Sequence, residues 1–157
     1  MQILGLTGSH DRQGFDCGRT ELNDWLRNIA RQHQDKGLSK TFVAVLDDAP
    51  TRICGYYALT LTEVDTQSLA EARRKKLPRL IPGIRLGRLA VDAQFQGKRL
   101  GELLLVDALE RVHFIHQHAG VVGLFVDAID DKAAAFYAHF GFEAFADDPL
   151  KLFLPVR

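Results

Sequence analysis

Apolar residues recur along this chain in two rhythms, and the changes of rhythm mark out its elements. Between Thr20 and Gln34, Leu22, Trp25, Leu26, Ile29 and Ala30 fall at i, i+3, i+4 and i+7, which predicts an amphipathic helix with Trp25 as a core anchor. Thr20 is its expected N-cap, Glu21 and Asp24 sit in the first turn, and Gly37 lies beyond the end. The same spacing returns at Leu100, Leu103, Leu104, Ala108, Val112 and Ile115. It predicts a longer helix that begins near Arg99 or Leu100 and packs on a sheet. Lys132 to Phe140 reads as a third helix, capped by Asp130 or Asp131 and closed by Gly141. Ser68 followed by Glu71 has the form of a capping box and predicts a short helix to Lys76.

Between these helices the rhythm shortens. Gln2 to Leu6, Thr41 to Leu46, Arg52 to Thr62, Leu86 to Val91, Phe142 to Phe145 and Leu150 to Leu154 are expected strands. Val121 to Val126 is apolar almost throughout, as in a strand buried on both faces. Asp47-Asp48-Ala49-Pro50 and Asp147-Asp148-Pro149 carry turn chemistry and predict two hairpin connections. Leu77 to Gly83 contains Pro78, Pro82 and Gly83 and is read as loop. No repeat, linker or low-complexity tract interrupts the pattern. The expectation is one mixed α/β (α+β) domain over residues 1–157, with a twisted mixed sheet of about six or seven strands and about four helices.

Composition narrows the class without changing the layout. A chain of 157 residues, 46% hydrophobic and 25% charged, suits one soluble domain with a sizeable core. No apolar run approaches the roughly 20 residues of a membrane span, and the N-terminus lacks the basic region of a secretory signal. Cys17 and Cys54 are too few for a disulfide scaffold or a cysteine-based metal site. The expected compartment is the cytoplasm.

Charge does change the picture. The net of zero hides a block, residues 71–99, with nine basic side chains against Glu71 and Asp92. Residues 1–70 carry 7 basic and 9 acidic groups, and residues 100–157 carry 4 and 9. The block ends on Lys98 and Arg99, where a strand (Leu86 to Val91) passes through a polar, Gly-bearing loop into a helix. The first N–H groups of a helix lack internal partners and carry partial positive charge, so this stretch is a candidate anion cradle. An ordinary strand–turn–helix has the same pattern. The loop is neither a P-loop nor G-x-G-x-x-G. His113, His116 and His118 cluster near the end of the same helix, but no carboxylate or cysteine joins them at ligand spacing. No metal is expected. No serine or cysteine lies in a nucleophile motif.

Two motifs together carry a resemblance. Gln96-Gly97-Lys98-Arg99-Leu100-Gly101 resembles the Gln/Arg-x-x-Gly-x-Gly/Ala signature of GNAT-superfamily N-acetyltransferases, with Arg99 at the middle glycine. Asp130, Ala133, Phe136, Tyr137, Gly141 and Phe142 resemble the family's N-x-x-A-x-x-F-Y-x-x-x-G-F, with Asp for Asn. The resemblance covers nearly the whole chain and implies a GNAT-like sheet with splayed central strands that hold acetyl-CoA. It implies that the backbone of Leu89, Ala90 and Val91 pairs with the pantetheine arm. Gln96, Gly97, Lys98, Arg99, Leu100 and Gly101 would hold the pyrophosphate, and Asp130, Ala133 and Phe136 would also border the cofactor. Tyr137 would be the general acid for the departing thiolate, and N–H groups freed at a bulged strand would meet the oxyanion. Arg99 removes backbone freedom where pyrophosphate lies close; Gly97 and the added charge would compensate.

The N-terminal half is similar to a narrower branch. Phe15-Asp16-Cys17-Gly18, Leu22, Trp25-Leu26, Gly55-Tyr56-Tyr57-Ala58-Leu59 and Leu86-Gly87-Arg88-Leu89-Ala90-Val91-Asp92 resemble the toxins that acetylate aminoacyl-tRNA and are restrained by ribbon-helix-helix antitoxins. That likeness implies a primary amine acceptor on tRNA, an antitoxin partner and a homodimer, with the basic block tracking a tRNA backbone. The zero net charge points the other way. A small-molecule or protein amine is the alternative acceptor, and an acyl-CoA-binding module without turnover is the alternative class.

Overall fold

A computed structural model describes residues 1–156. Seven strands pair in the order β1-β2-β3-β4-β5-β7-β6, and five α-helices connect them, which is the mixed α/β sheet the patterning predicts. In chain order the elements are β1 (Gln2–Gly5), α1 (Thr20–Asn28), α2 (Ala30–Asp35), β2 (Lys40–Val45), β3 (Gly55–Asp65), α3 (Glu71–Arg74), β4 (Leu80–Val91), α4 (Leu100–His116), β5 (Gly123–Asp127), α5 (Asp131–His139), β6 (Glu143–Ala144) and β7 (Lys151–Pro155). No helix among the described residues is long and apolar enough to cross a membrane. The chain divides into two compact units: Met1–Thr60 with Gly87–Ala108, and Leu61–Leu86 with the chain from Leu109 onward.

The first unit is built on an antiparallel meander. β1 pairs β2 with Gln2 opposite Val45, and β2 pairs β3 with Phe42 opposite Tyr57. Its core joins Phe15, Leu22, Trp25, Leu26, Val43, Val45, Ile53 and Tyr56. Trp25 stacks parallel to Tyr56 at 6.1 Å, and the Tyr56 hydroxyl donates to the Leu22 carbonyl at 2.7 Å. Trp25 is therefore the core anchor its position predicts. Gly55 is needed where α4 crosses β3: a Cβ there would lie 2.9 Å from Leu104 Cδ1 and 3.1 Å from the Ala90 carbonyl. Cys17 and Cys54 are free and buried, and burial pushes both thiols up from their ordinary value.

The second unit packs Val64, Leu69, Ile81, Phe125 and Phe153 into a separate cluster. Phe125 stacks on Phe153 at 4.8 Å. β4 runs parallel to β5 from Ile84↔Leu124 to Leu86↔Val126, and β7 pairs antiparallel with both β5 and β6. The β4–β5 ladder stops at Leu86, although β4 itself continues to Val91.

Several sequence expectations need correction. The predicted helix from Thr20 to Gln34 breaks at Ile29 (φ −121°, ψ −39°), so α1 and α2 are separate and Ile29 is 37% exposed. Arg19, not Thr20, is the N-cap, and it makes no side-chain capping bond to the first turn. The Ser68–Glu71 capping box does not form: α3 spans four residues behind Ala70, and the preceding 3-10 turn is capped by Asp65. Leu80 to Gly83, read as loop from its proline and glycine, is the start of β4. There the Pro82 carbonyl accepts from Val122 N–H at 2.9 Å, so this proline still serves a backbone bond. Leu103, placed on the apolar stripe of α4, is 46% exposed.

Candidate functional site

The first unit holds the candidate anion loop. Ala90 is buried, with Leu89 and Val91 half-buried on either side. The chain then turns through a 3-10 segment, Ala93–Phe95, capped by Asp92, whose Oδ1 accepts from Gln94 N–H at 3.0 Å. Gly97 lies at φ 78° and Arg99 at φ 62°. Arg99 is the one non-glycine residue with positive φ among those described. The backbone at Arg99 thus keeps the left-handed conformation that glycine adopts freely. A side chain there costs about 1–2 kcal/mol, and such outliers persist where the surrounding structure holds them.

α4 opens immediately afterward. Its first internal bond runs from Leu103 N–H to the Arg99 carbonyl at 3.1 Å. The N–H groups of Leu100, Gly101 and Glu102 precede any helical acceptor, so they carry the dipole's partial positive charge. Lys98 and Arg99 have no carboxylate partner among the described residues. Lys98 Nζ instead lies 5.6 Å from the centre of the Phe95 ring, which Arg52 also approaches, at 5.0 Å. Donors, dipole and two cations converge on one turn, which can take a phosphate-bearing ligand.

Gln96 behaves differently from its neighbours. Its Nε2 donates to the Val91 carbonyl at 2.9 Å and to the Cys17 carbonyl at 3.0 Å, so its side chain is spent on the protein. Asp92 is 5% exposed, and its Oδ2 accepts from Asp16 N–H at 3.1 Å. Sequence reasoning missed this contact, because a bond between residues 76 positions apart leaves no periodic signal.

The second unit holds the other motif. Asp130 caps α5: its Oδ1 accepts from Ala133 N–H at 2.8 Å. Aspartate at the position of the family's asparagine therefore does structural work. Phe136 and Phe142 close on Tyr137 at 5.3 and 5.5 Å. Tyr137 is 7% exposed, and burial pushes its phenol well above the ordinary value. Its hydroxyl has no hydrogen-bond partner among the described residues. A phenol in that setting stays protonated near neutrality and has its proton free to give. Gly141, at φ 94°, ends the helix as expected.

The basic block is less basic than its sequence suggests. Arg73 forms a bidentate pair with Glu143, Arg79 meets Asp65, Lys75 meets Glu71, and Arg85 bonds Asp127 and Thr62. Arg88 lies over the Trp25 ring at 5.2 Å. Arg74, Lys76, Lys98 and Arg99 keep no carboxylate among the described residues. The histidines near the end of α4 are used locally: His116 Nδ1 lies 2.9 Å from the Val121 carbonyl, and His118 packs on Phe114 at 4.7 Å. No group of metal-ligating side chains forms among the described residues.

Comparison with known proteins extends these motifs to the whole chain. A family model described as an acetyltransferase (GNAT) domain matches residues 37–144. A protein of Mycobacterium tuberculosis named tRNA-acetylating toxin is 37% identical over 152 residues, 97% of this chain and 90% of that protein. The structure of AtaT complexed with acetyl-methionyl-tRNAfMet superposes with a TM-score of 0.89 at 32% identity, covering 98% of this chain and 94% of that one. A variant of the same toxin, bound to the C-terminus of the antitoxin AtaR and to acetyl-CoA, gives a TM-score of 0.80 at 31% identity, covering 98% and 92%.

Proposed function

The chain belongs to the GNAT acetyltransferase family, and on that premise we propose that it moves the acetyl group of acetyl-CoA to the amino group of an aminoacyl-tRNA, as the toxin of a toxin–antitoxin pair. The observation that carries this reading is the near-full-length likeness to the tRNA-acetylating toxin. The AtaT complexes support the same acceptor, acetyl donor and class of protein partner. A ribbon-helix-helix antitoxin, a homodimer and a cytoplasmic setting belong to this proposal and are supported by the resemblance of the N-terminal half.

Acetyl-CoA supplies an activated thioester and a diphosphate that needs counter-charge. The turn from Gly97 to Gly101 fits that need, with its left-handed backbone, helix N-terminal N–H groups and two uncommitted cations. The backbone of Leu89, Ala90 and Val91 would bind the pantetheine arm, while Ala133 and Phe136 would border it. Tyr137 Oη would hold the proton that the thiolate takes on leaving, and burial keeps that proton in place. The attacking amine must be neutral, and water would accept its proton.

The test combines purified protein, acetyl-CoA and charged tRNA, with thiol release and acetylation of the aminoacyl group as readouts. Acetylated aminoacyl-tRNA is the expected product. A second reading, with a small-molecule or protein amine as acceptor, is favoured by the carboxylates that occupy Arg73, Lys75, Arg79 and Arg85. Thiol release with free polyamines or lysine peptides, and none with charged tRNA, would select that reading instead. Acetyl-CoA binding without thiol release in the presence of any amine would leave only a binding module.

A further inference from the structure

We propose that Asp92, Asp16, Asn23 and Gln96 form a positioning network that fixes the shape of the anion loop, and that Gln96 acts as a strut within it and does not touch acetyl-CoA through its side chain. The proposal rests on the reading of Gln96–Gly101 as the pyrophosphate loop. Its basis is a match of donors and acceptors between the loop and the segment Asp16–Gly18. Asp92 Oδ2 accepts from Asp16 N–H at 3.1 Å, and the Asp16 carbonyl accepts from Ala93 N–H at 2.8 Å. Asp92 Oδ1 accepts from Gln94 N–H at 3.0 Å. Gln96 Nε2 then bonds the carbonyls of Cys17 and Val91. The loop is thereby tied on both sides to a segment that precedes it by more than seventy residues.

That segment is held in turn. Asp16 Oδ1 accepts from Gly18 N–H and from Asn23 Nδ2, both at 2.9 Å, and Asn23 Oδ1 accepts from Cys17 N–H at 2.9 Å. Asn23 is 7% exposed on α1, facing inward on a helix whose other buried residues are apolar. A buried amide in that place needs a use, and fixing residues 16–18 provides one. Asp92 is a buried carboxylate with no ion pair among the described residues. Burying it costs free energy, and what it returns is one backbone N–H held within the loop, that of Gln94, and one held against it, that of Asp16. Left-handed backbone at a non-glycine residue survives only where neighbours over-determine it. This network reaches Gln96, three residues before Arg99.

The chemistry separates the members. Asp92 uses both oxygens as acceptors, so Asp92→Asn must turn an NH2 group toward an N–H donor. Asp16 accepts side-chain bonds through Oδ1 alone, so Asp16→Asn can reproduce them all. Asn23→Asp sets a carboxylate against the Asp16 carboxylate and loses a donor. None of these three residues is assigned to acetyl-CoA.

The experiment compares acetyl-CoA with acetyl-pantetheine, a donor without the diphosphate, in steady-state assays with the same amine. In Asp92→Asn and Asn23→Asp, kcat/KM for acetyl-CoA falls by about 10- to 100-fold through KM, the loss expected when a binding group moves by about 1 Å. The value for acetyl-pantetheine changes less than about twofold, and Asp16→Asn behaves as wild type with both donors. Equal losses on the two donors would mean general destabilisation and overturn the proposal, as would no loss on either. If Asp92→Asn does not fold, Asn23→Asp alone decides. A wild-type protein that uses both donors equally well would refute the pyrophosphate reading itself, which is recognisable because no variant is involved.

Discussion

Replacing Arg99 separates the backbone from the charge at the candidate loop. The residue lies at φ 62°, where an L side chain pays about 1–2 kcal/mol. Arg99→Gly removes that cost but gives the unfolded chain extra freedom, worth about 0.4–1 kcal/mol. The net gain is about 0.5–1 kcal/mol, which moves Tm upward by about 1–4 °C for a chain of this size. Arg99→Ala keeps a Cβ in the strained conformation and leaves Tm within about 1 °C of wild type. Both variants lose a cation, and acetyl-CoA binding weakens by about fivefold, the scale of an exposed charge contact. Arg99→Lys keeps charge and strain and stays near wild type in both respects. Thermal melting by circular dichroism and calorimetric titration with acetyl-CoA read the two quantities independently. The weakening should shrink in high salt, because exposed charge is screened. Identical Tm shifts in the glycine and alanine variants would remove backbone strain from the explanation. Unchanged, salt-insensitive binding in Arg99→Ala would show that the side chain does not compensate for the lost glycine.

Three further outcomes follow from the same structure. Tyr137→Phe lowers kcat by about 10²-fold while acetyl-CoA affinity and Tm stay within error, because the hydroxyl bonds no described residue; full turnover would remove Tyr137 from the mechanism. Asp130→Ala strips the Ala133 N–H of its acceptor and lowers stability by about 1 kcal/mol, read as a Tm drop in the absence of any ligand, whereas an unmoved Tm would mean that the cap contributes nothing. His10 is 8% exposed and its Nδ1 accepts from Thr7 N–H at 3.0 Å, and burial holds its pKa below the ordinary 6.5. The unfolded chain therefore takes up a proton that the fold refuses, so this contribution is complete above pH 6.5 and is lost as pH falls toward the folded value. Melting temperatures between pH 7.5 and 5 should fall more steeply for wild type than for His10→Asn, and parallel curves would refute the assignment.

Period and punctuation were enough to find every strand and the three larger helical segments: apolar spacing records a buried face, a continuous apolar run marks β5 as buried along most of its length, and turn residues mark the short exposed β6. They failed where backbone accounting outweighs spacing. Ile29 continues the stripe of α1 on paper, yet the helix breaks there and the side chain is left 37% exposed. Pro82 and Gly83 look like loop, yet β4 runs through both while the Pro82 carbonyl still receives Val122 N–H. The site divides along the same line. Gly97, Lys98, Arg99 and Tyr137 belong to motifs of fixed spacing and were readable as such. Asp16, Asn23 and Asp92 were not, because their partners are main-chain atoms brought near only by the fold. Motif residues report what a ligand demands, since the ligand's shape is constant from one protein to another. The residues that hold a motif in place answer to the local chain, which differs each time. Arg99 shows the consequence: a sequence can depart from glycine at a left-handed position when neighbouring bonds fix the backbone instead. In this chain the departure at Arg99 and the buried carboxylate of Asp92 are two ends of one arrangement, so a variant that loosens the second should make the first harder to sustain. Arg99→Gly introduced into Asp92→Asn should therefore recover more stability than it adds to wild type, a non-additivity that independent sites would not show.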